Sequence, residues 1–245
     1  MKTNMKYNIK SKMQKSLMSL ALAMGVSAAN AATWDVTITN LTNGSHFTPL
    51  LVTAHDNTAH LYTLGSAAST ALQSMAECGD LTGLLALTEV GGEDADTIKN
   101  PVGMEELLAP GASTTAMLTT TQTHLSVVAM ILPSNDGFIG LDAVEVPVEL
   151  GTYTYYVNGY DAGTEANTEL KDPATCAVGQ AGYPGVPSGS EGMNGSGASS
   201  ADTNTMVHVH RGVLGDSDPT GGISDLSSTV HRWQNPMAKV TVTVK

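Results

Sequence analysis

Aromatic residues are scarce in this chain of 245, with two Trp, seven Tyr and two Phe making 4% of the whole. A cleft that hydrolyses glycans needs stacking faces as well as paired carboxylates, so this thin supply counts against a glycosidase. Cysteine is scarcer still. Cys78 and Cys176 stand alone, no Cys-x-x-Cys occurs, and an oxidoreductase of that type is disfavoured. No Gly-x-Ser-x-Gly elbow stands on a strand-to-helix turn, since Gly189-Ser-Glu-Gly192 lies in low-complexity sequence. No glycine loop followed by Lys is present to cradle a phosphate. Catalysis is therefore not expected, and a hydrolase built on acidic loops ranks last among the readings.

Basic residues are also few, and almost half of them crowd into the N-terminus. Lys2, Lys6, Lys10, Lys12 and Lys15 precede an apolar stretch from Ser16 to Ala29 and the small-residue site Ala29-Asn-Ala31. That order reads as a secretory signal peptide over residues 1–31, cleaved after Ala31. The apolar stretch is too short to span a membrane, and no later segment offers another. Removing the signal leaves six basic residues against twenty-three acidic ones, a net charge of −17. Such a surface repels nucleic acid and anionic lipid and attracts cations. The mature chain is expected to be exported, to the periplasm or outside the cell. No Cys stands at the cleavage point to carry a lipid.

Residues 32–245 read as one all-β domain. Trp34–Asn40 and Ala238–Val244 alternate apolar with polar, and both are rich in β-branched residues, the pattern of half-buried strands. Between them Gly111–Thr121, Thr123–Leu132, Ala143–Val148, Gly151–Val157 and Met206–Arg211 also have strand character. Ser69–Cys78 and Leu81–Leu87 have helical spacing instead, and predict a short helical insertion. Gly91–Asn100 reads as an acidic, solvated loop. Residues 179–205 hold seven Gly, two Pro and five Ser with almost nothing bulky, and predict a flexible surface excursion.

Two loops concentrate the chemistry. Leu132-Pro-Ser-Asn-Asp-Gly-Phe-Ile-Gly-Leu-Asp142 follows one strand, and Tyr160-Asp-Ala-Gly-Thr-Glu-Ala-Asn-Thr-Glu169 follows another. Asp and Gly in one such loop can simply cap a turn. Two acidic loops at strand ends suit a hard cation, because calcium takes six to eight oxygens and glycine lets backbone carbonyls turn toward the ion. If the loops meet, Asp136, Asp142, Asp161 and Glu165 converge, and a cation or a proton must relieve their repulsion.

The same stretches resemble the signatures of the spondin N-terminal domain family. Ala129–Asp142 is similar to a segment that reads Pro-Ser-Pro-Asp-Trp-Phe-Val-Gly-Val-Asp in animal members, and Tyr160–Glu165 to Tyr-Asp-Ala-Gly-Thr-Asp. Val36–Thr42 with Phe47-Thr-Pro49, Val207–Gly212 and Trp233–Val240 resemble exported bacterial members. The resemblance implies a C2-like antiparallel β-sandwich with calcium bound by loops at one edge. Asp142 and Asp161 match the family's acidic positions most firmly, Asp136 matches the aspartate of the first loop, and Glu165 replaces an Asp. Gly137 stands where animal members have Trp, so no partner contact transfers there. The implied role is non-catalytic adhesion to a protein or glycan at the cell surface or matrix.

An alternative uses histidines. His208 and His210 lie two apart in a strand and project from one face, where they could share copper or zinc, with His231 as a third ligand. An exported transition-metal binder is the second expectation. Cys78 and Cys176 could close one disulfide, which spacing alone leaves open.

Overall fold

The computed structural model describes residues 31–90, 94–98, 107–171, 176–185 and 191–245. The expected signal peptide, apart from Ala31, lies outside the described residues. Among the described residues the ten strands are β1 (Ala32–Asn40), β2 (His46–Phe47), β3 (Leu50–His55), β4 (Asp94–Ile98), β5 (Ser113–Thr120), β6 (His124–Leu132), β7 (Gly137–Glu145), β8 (Gly151–Asp161), β9 (His208–Val209) and β10 (Ala238–Val244). All pair antiparallel in the order β4-β3-β6-β7-β8-β10-β1-β5, with β2 added to β6 and β9 to β8. The outermost strands β4 and β5 come back into contact, so the sheet curls around its own inner face. This is the all-β, sandwich-like fold expected.

The alternation read in β1 and β10 is realised as written. Val36 and Ile38 of β1 and Val240 and Val242 of β10 are fully buried in the inner core, while the threonines between them face outward. Strand β6 obeys a different rule. Its run His-Leu-Ser-Val-Val-Ala-Met-Ile-Leu has no polar face because neither face meets water. Val127, Ala129 and Ile131 point into the inner core. Val128, Met130 and Leu132 pack outward under two helices. Those helices, α1 (Thr70–Cys78) and α2 (Thr82–Val90), supply Leu72, Met75 and Leu84 to that second layer. Ser69 begins α1, its hydroxyl accepting the Leu72 N–H at 3.1 Å.

Three stretches differ from the sequence reading. Asp94–Ile98, within the expected acidic loop, is an edge strand that pairs Leu50–Ala54 of β3. Exposed backbone on β3 captures it whatever the polarity of its side chains. Strand β7 begins at Gly137, inside the first expected acidic loop, and β8 runs on to Asp161 in the second. The Gly/Ser-rich stretch has no regular secondary structure from 191 to 205. It is anchored by hydrogen bonds rather than by apolar burial: Gly192 N–H donates to Asp225 O, Ser196 N–H to Gly222 O and Ala198 N–H to Thr168 O, at 2.8, 3.1 and 2.8 Å.

Cys78, the last residue of α1, is disulfide-bonded to Cys176, 98 residues on, with Cα atoms 5.6 Å apart. The bridge ties the helical layer to the loops that follow β8. Closing a span of that length removes much of the freedom of the unfolded chain. Reduction, or the Cys78→Ala/Cys176→Ala variant, should lower stability by roughly 3–5 kcal/mol. Urea unfolding with and without reductant checks this, and coincident curves would refute it.

Candidate cation site where β7 meets β8

Asp136 is the last residue of the turn between β6 and β7, and Asp161 is the last residue of β8. Gly137 pairs directly with Asp161, and Ala162 N–H donates to the Asp136 carbonyl at 3.2 Å. The two acidic loops therefore do meet, at one end of the β7–β8 pair. Asp136 is 0% and Asp161 1% exposed, so neither carboxylate is hydrated as a surface acid would be.

The two oxygens of Asp136 have different surroundings. Oδ2 accepts from Thr164 N–H at 2.7 Å, Glu165 N–H at 3.0 Å and the Thr164 hydroxyl at 3.2 Å. Oδ1 is buried without any hydrogen-bond partner. Burial, with the Asp161 charge added, pushes the Asp136 carboxyl up to about 7 despite those donors. Asp161 is better satisfied. Its Oδ1 accepts from Gly163 N–H at 2.8 Å and its Oδ2 from Asn167 Nδ2 at 2.7 Å. Asn167 in turn donates to Asp202 Oδ2 at 2.9 Å, which brings a third carboxylate to the network. Gly163 is required here: its φ is +71°, and a Cβ would stand 2.5 Å from the Thr205 carbonyl carbon.

Glu165 and Asp142 go elsewhere. The backbone of Glu165 caps Asp136, but its carboxylate turns toward Asn135 Nδ2 at 3.1 Å and Gly182 N–H at 3.2 Å. Burial pushes it up to about 8, opposed by those two donors, and the charges of Glu77 and Asp136 add to the rise. Asp142 lies five residues along β7 from Gly137, about 17 Å at the rise of a strand. It accepts from His60 Nδ1 at 2.6 Å and Leu61 N–H at 2.8 Å. With Tyr62, Tyr156, Asn158 and Tyr160 it lines a separate open groove of about 490 Å³. The expectation that Asp142 joins the other carboxylates is corrected. The sequence between them is extended strand, not loop, and a strand carries its residues apart.

The histidine reading is also redrawn. Burial pushes His231 down, its Nδ1 accepts from Ser227 N–H at 3.1 Å, and among the described residues it forms no three-ligand metal group with the β9 pair. His208 instead pairs across strands with Asp161, its Nε2 3.8 Å from Asp161 Oδ2. His210 is 5% exposed, packs on Trp233 with ring centroids 4.9 Å apart, and is pushed down to about 4 by burial against the opposing pull of Asp161. Its Cδ2 lies 3.2 Å from where a Gly137 Cβ would be, so the imidazole fills the space a larger residue at 137 would need. Sequence reasoning missed His208 and His210 as neighbours of the acidic loops. They stand far along the chain from both loops, and only the β8–β9 register, which sets His208 opposite Asp161, joins the two motifs. Among the described residues, no three His, Cys, Asp or Glu side chains already stand in metal-ligating geometry.

A curled antiparallel sheet with loop-borne carboxylates at one end, and two short helices on its outer face, defines a sandwich-like β module. Residues 37–182 match the family model described as Spondin_N, a span longer than half the chain. The chain belongs to the spondin N-terminal domain family, as its motifs indicate. No curated protein matches it.

The buried carboxylates set a pH dependence for protein freed of cations. Folded Asp136 and Glu165 keep protons up to about 7 and 8 that the unfolded chain releases near 3.8 and 4.5. The stability they contribute is present at low pH and lost as pH rises through those two values. His210, held down near 4, acts with the opposite sign, but only below its ordinary 6.5. Between about pH 6.5 and 8 the two carboxylates therefore dominate. The urea midpoint of chelator-treated protein should fall across that window, and a midpoint that rises instead would contradict their burial.

Proposed function

We propose that this chain is an exported, non-catalytic spondin-type recognition module whose loops are ordered by calcium held at Asp136 and Asp161. One observation carries the reading: a carboxylate oxygen, Asp136 Oδ1, is buried without a partner beside a second buried carboxylate. Two such groups are costly unless a proton or a cation lies with them. Calcium accepts carboxylates and carbonyls in irregular number, which suits turns rather than rigid elements. Glu165 joins the ligand set only by swinging its carboxylate from Asn135 and Gly182, and Asp142 is left out. When bound, the ion supplies positive charge that holds the β6–β7 turn against the loop after β8.

Export is supported by the N-terminal sequence pattern, and β1 begins at Ala32, the residue after the expected cleavage point. Pre-ordered loops bind with a smaller entropic penalty, which fits adhesion to a protein or glycan at the cell surface or matrix. The tyrosine-lined groove around Asn158 and Asp142 offers stacking faces beside hydrogen-bonding groups, the chemistry either partner class would use.

Calcium at a hundred times its dissociation constant should add about 2.7 kcal/mol and raise the melting midpoint by roughly 5–10 °C. Native mass spectrometry should show one bound calcium. Asp136→Asn should abolish both effects while leaving the chelated protein folded. A wild-type midpoint that ignores both calcium and chelator, with no calcium in the spectrum, would sink the reading.

A further inference from the structure

We infer that the tyrosine-lined groove on β7 and β8 receives an arginine side chain from a partner protein. The inference rests on the recognition-module reading and names the partner's chemistry, but it needs no ion at Asp136 and Asp161.

The groove depends on a missing side chain. Gly140 of β7 pairs with Asn158 of β8, and a Cβ at 140 would stand 2.6 Å from the Tyr62 hydroxyl oxygen. Tyr62 can therefore lie against the strand only because residue 140 is glycine. Along β8, Tyr156, Asn158 and Tyr160 are spaced by two and so project from one face. In a chain that is 4% aromatic, three of the seven tyrosines line this one groove. Two of them are held by packing. The Tyr62 and Tyr160 ring centroids are 5.4 Å apart, and the fully buried Phe138 ring stands 5.1 and 5.7 Å from them. Tyr156 is 66% exposed, a large aromatic side chain left to water.

Charge decides what the groove takes. Asp142 lines it, with its side chain only 14% exposed. A carboxylate can only accept, so His60, which meets Asp142 Oδ2 through Nδ1, carries its ring proton there. The other donor is the Leu61 N–H, and both it and a neutral His60 ring leave the carboxylate its charge. Among the described residues that line the groove, none is Lys or Arg.

A shielded negative charge beside aromatic faces fits a cation. Ring quadrupoles attract it, and the carboxylate accepts a charge-assisted hydrogen bond from it. The net charge of −12 draws ligands of the same sign from a distance. Arginine fits better than lysine, because its planar guanidinium stacks on a ring while its N–H fork reaches acceptors such as Asp142 and the Asn158 amide oxygen. A neutral sugar would use the same rings and amide, yet it would leave the Asp142 charge unanswered.

Heteronuclear NMR of the disulfide-intact protein, titrated with acetyl-Gly-Arg-Gly-amide, tests the inference. The backbone signals of Gly140, Asp142 and Asn158 should move saturably, with calcium or with chelator. The same peptide with citrulline for arginine, uncharged and nearly isosteric, should bind at least about tenfold more weakly. Affinity for the arginine peptide should fall at least about threefold in Tyr156→Ala and about tenfold in Asp142→Asn. It should be unchanged in Asp218→Asn, an exposed acid that lines a different cavity. The exposed Tyr156 keeps the test decisive even where Asp142→Asn disturbs its contacts with His60 and Leu61. Equal affinity for the arginine and citrulline peptides, or equal affinity in wild type and Tyr156→Ala, would overturn the inference. Maltotriose moving these signals where the arginine peptide does not would overturn it in favour of a glycan. Each of these results leaves the calcium reading standing, since the melting midpoint judges that separately. A midpoint indifferent to calcium, with the arginine peptide still bound, removes calcium and keeps this inference.

Discussion

The register between β7 and β8 governs the candidate site, because it sets Gly137 opposite Asp161 and so places Asp136 beside it. A shift of one residue would turn every side chain of β7 to the other face. That shift is forbidden by the core, since Phe138 is buried under the helices and Ile139 in the inner layer, on opposite faces of one strand. The close approach of two buried carboxylates is thus maintained by apolar packing on both sides of the sheet. Electrostatics alone would separate them.

The acidic residues of this chain do more than colour its surface. Glu169 accepts the N–H groups of Leu214 and Gly215 and the hydroxyl of Ser224, at 2.7, 2.9 and 2.8 Å. Asp225 accepts from Lys171 and Gly195 N–H, and Asp216 from Ile223 and Ser224 N–H. Long loops without regular structure leave backbone donors that must find acceptors. Here carboxylates supply them, which explains how a Gly- and Ser-rich stretch becomes part of the fold with little apolar burial. Against that background Asp136 Oδ1 stands out, since its loop has donors in plenty and none reaches it.

Much of the fold was readable from pattern. The alternations of Trp34–Asn40 and Ala238–Val244 appear as β1 and β10 in mutual register, and Ser69–Cys78 as a capped helix. The polarity of residues 91–100 misled, because an edge strand is recruited by backbone pairing, which side-chain composition does not report. The acidic spacing misled in a different way. Asp136 and Asp142 look like neighbours in one glycine-containing loop, yet Gly137–Asp142 is strand, with Phe138–Gly140 paired on both sides. Glycine reads as loop by propensity, whereas at Gly137 it answers to the nearby His210 ring and Ser134 hydroxyl.

Residue order alone determined that the protein is all-β, that it belongs among spondin N-terminal domains, and that its carboxylates and histidines are the groups with chemistry to offer. Those are properties of local period and motif, which survive without knowledge of distance. Only the tertiary structure decided which of those groups meet. It sent Asp142 to a tyrosine-lined groove, turned Glu165 toward Gly182, closed Cys78 on Cys176, and brought His208 to Asp161. The physical reason is that strand pairing joins residues by register rather than by sequence separation. Burial on both faces of β7 leaves that register no freedom.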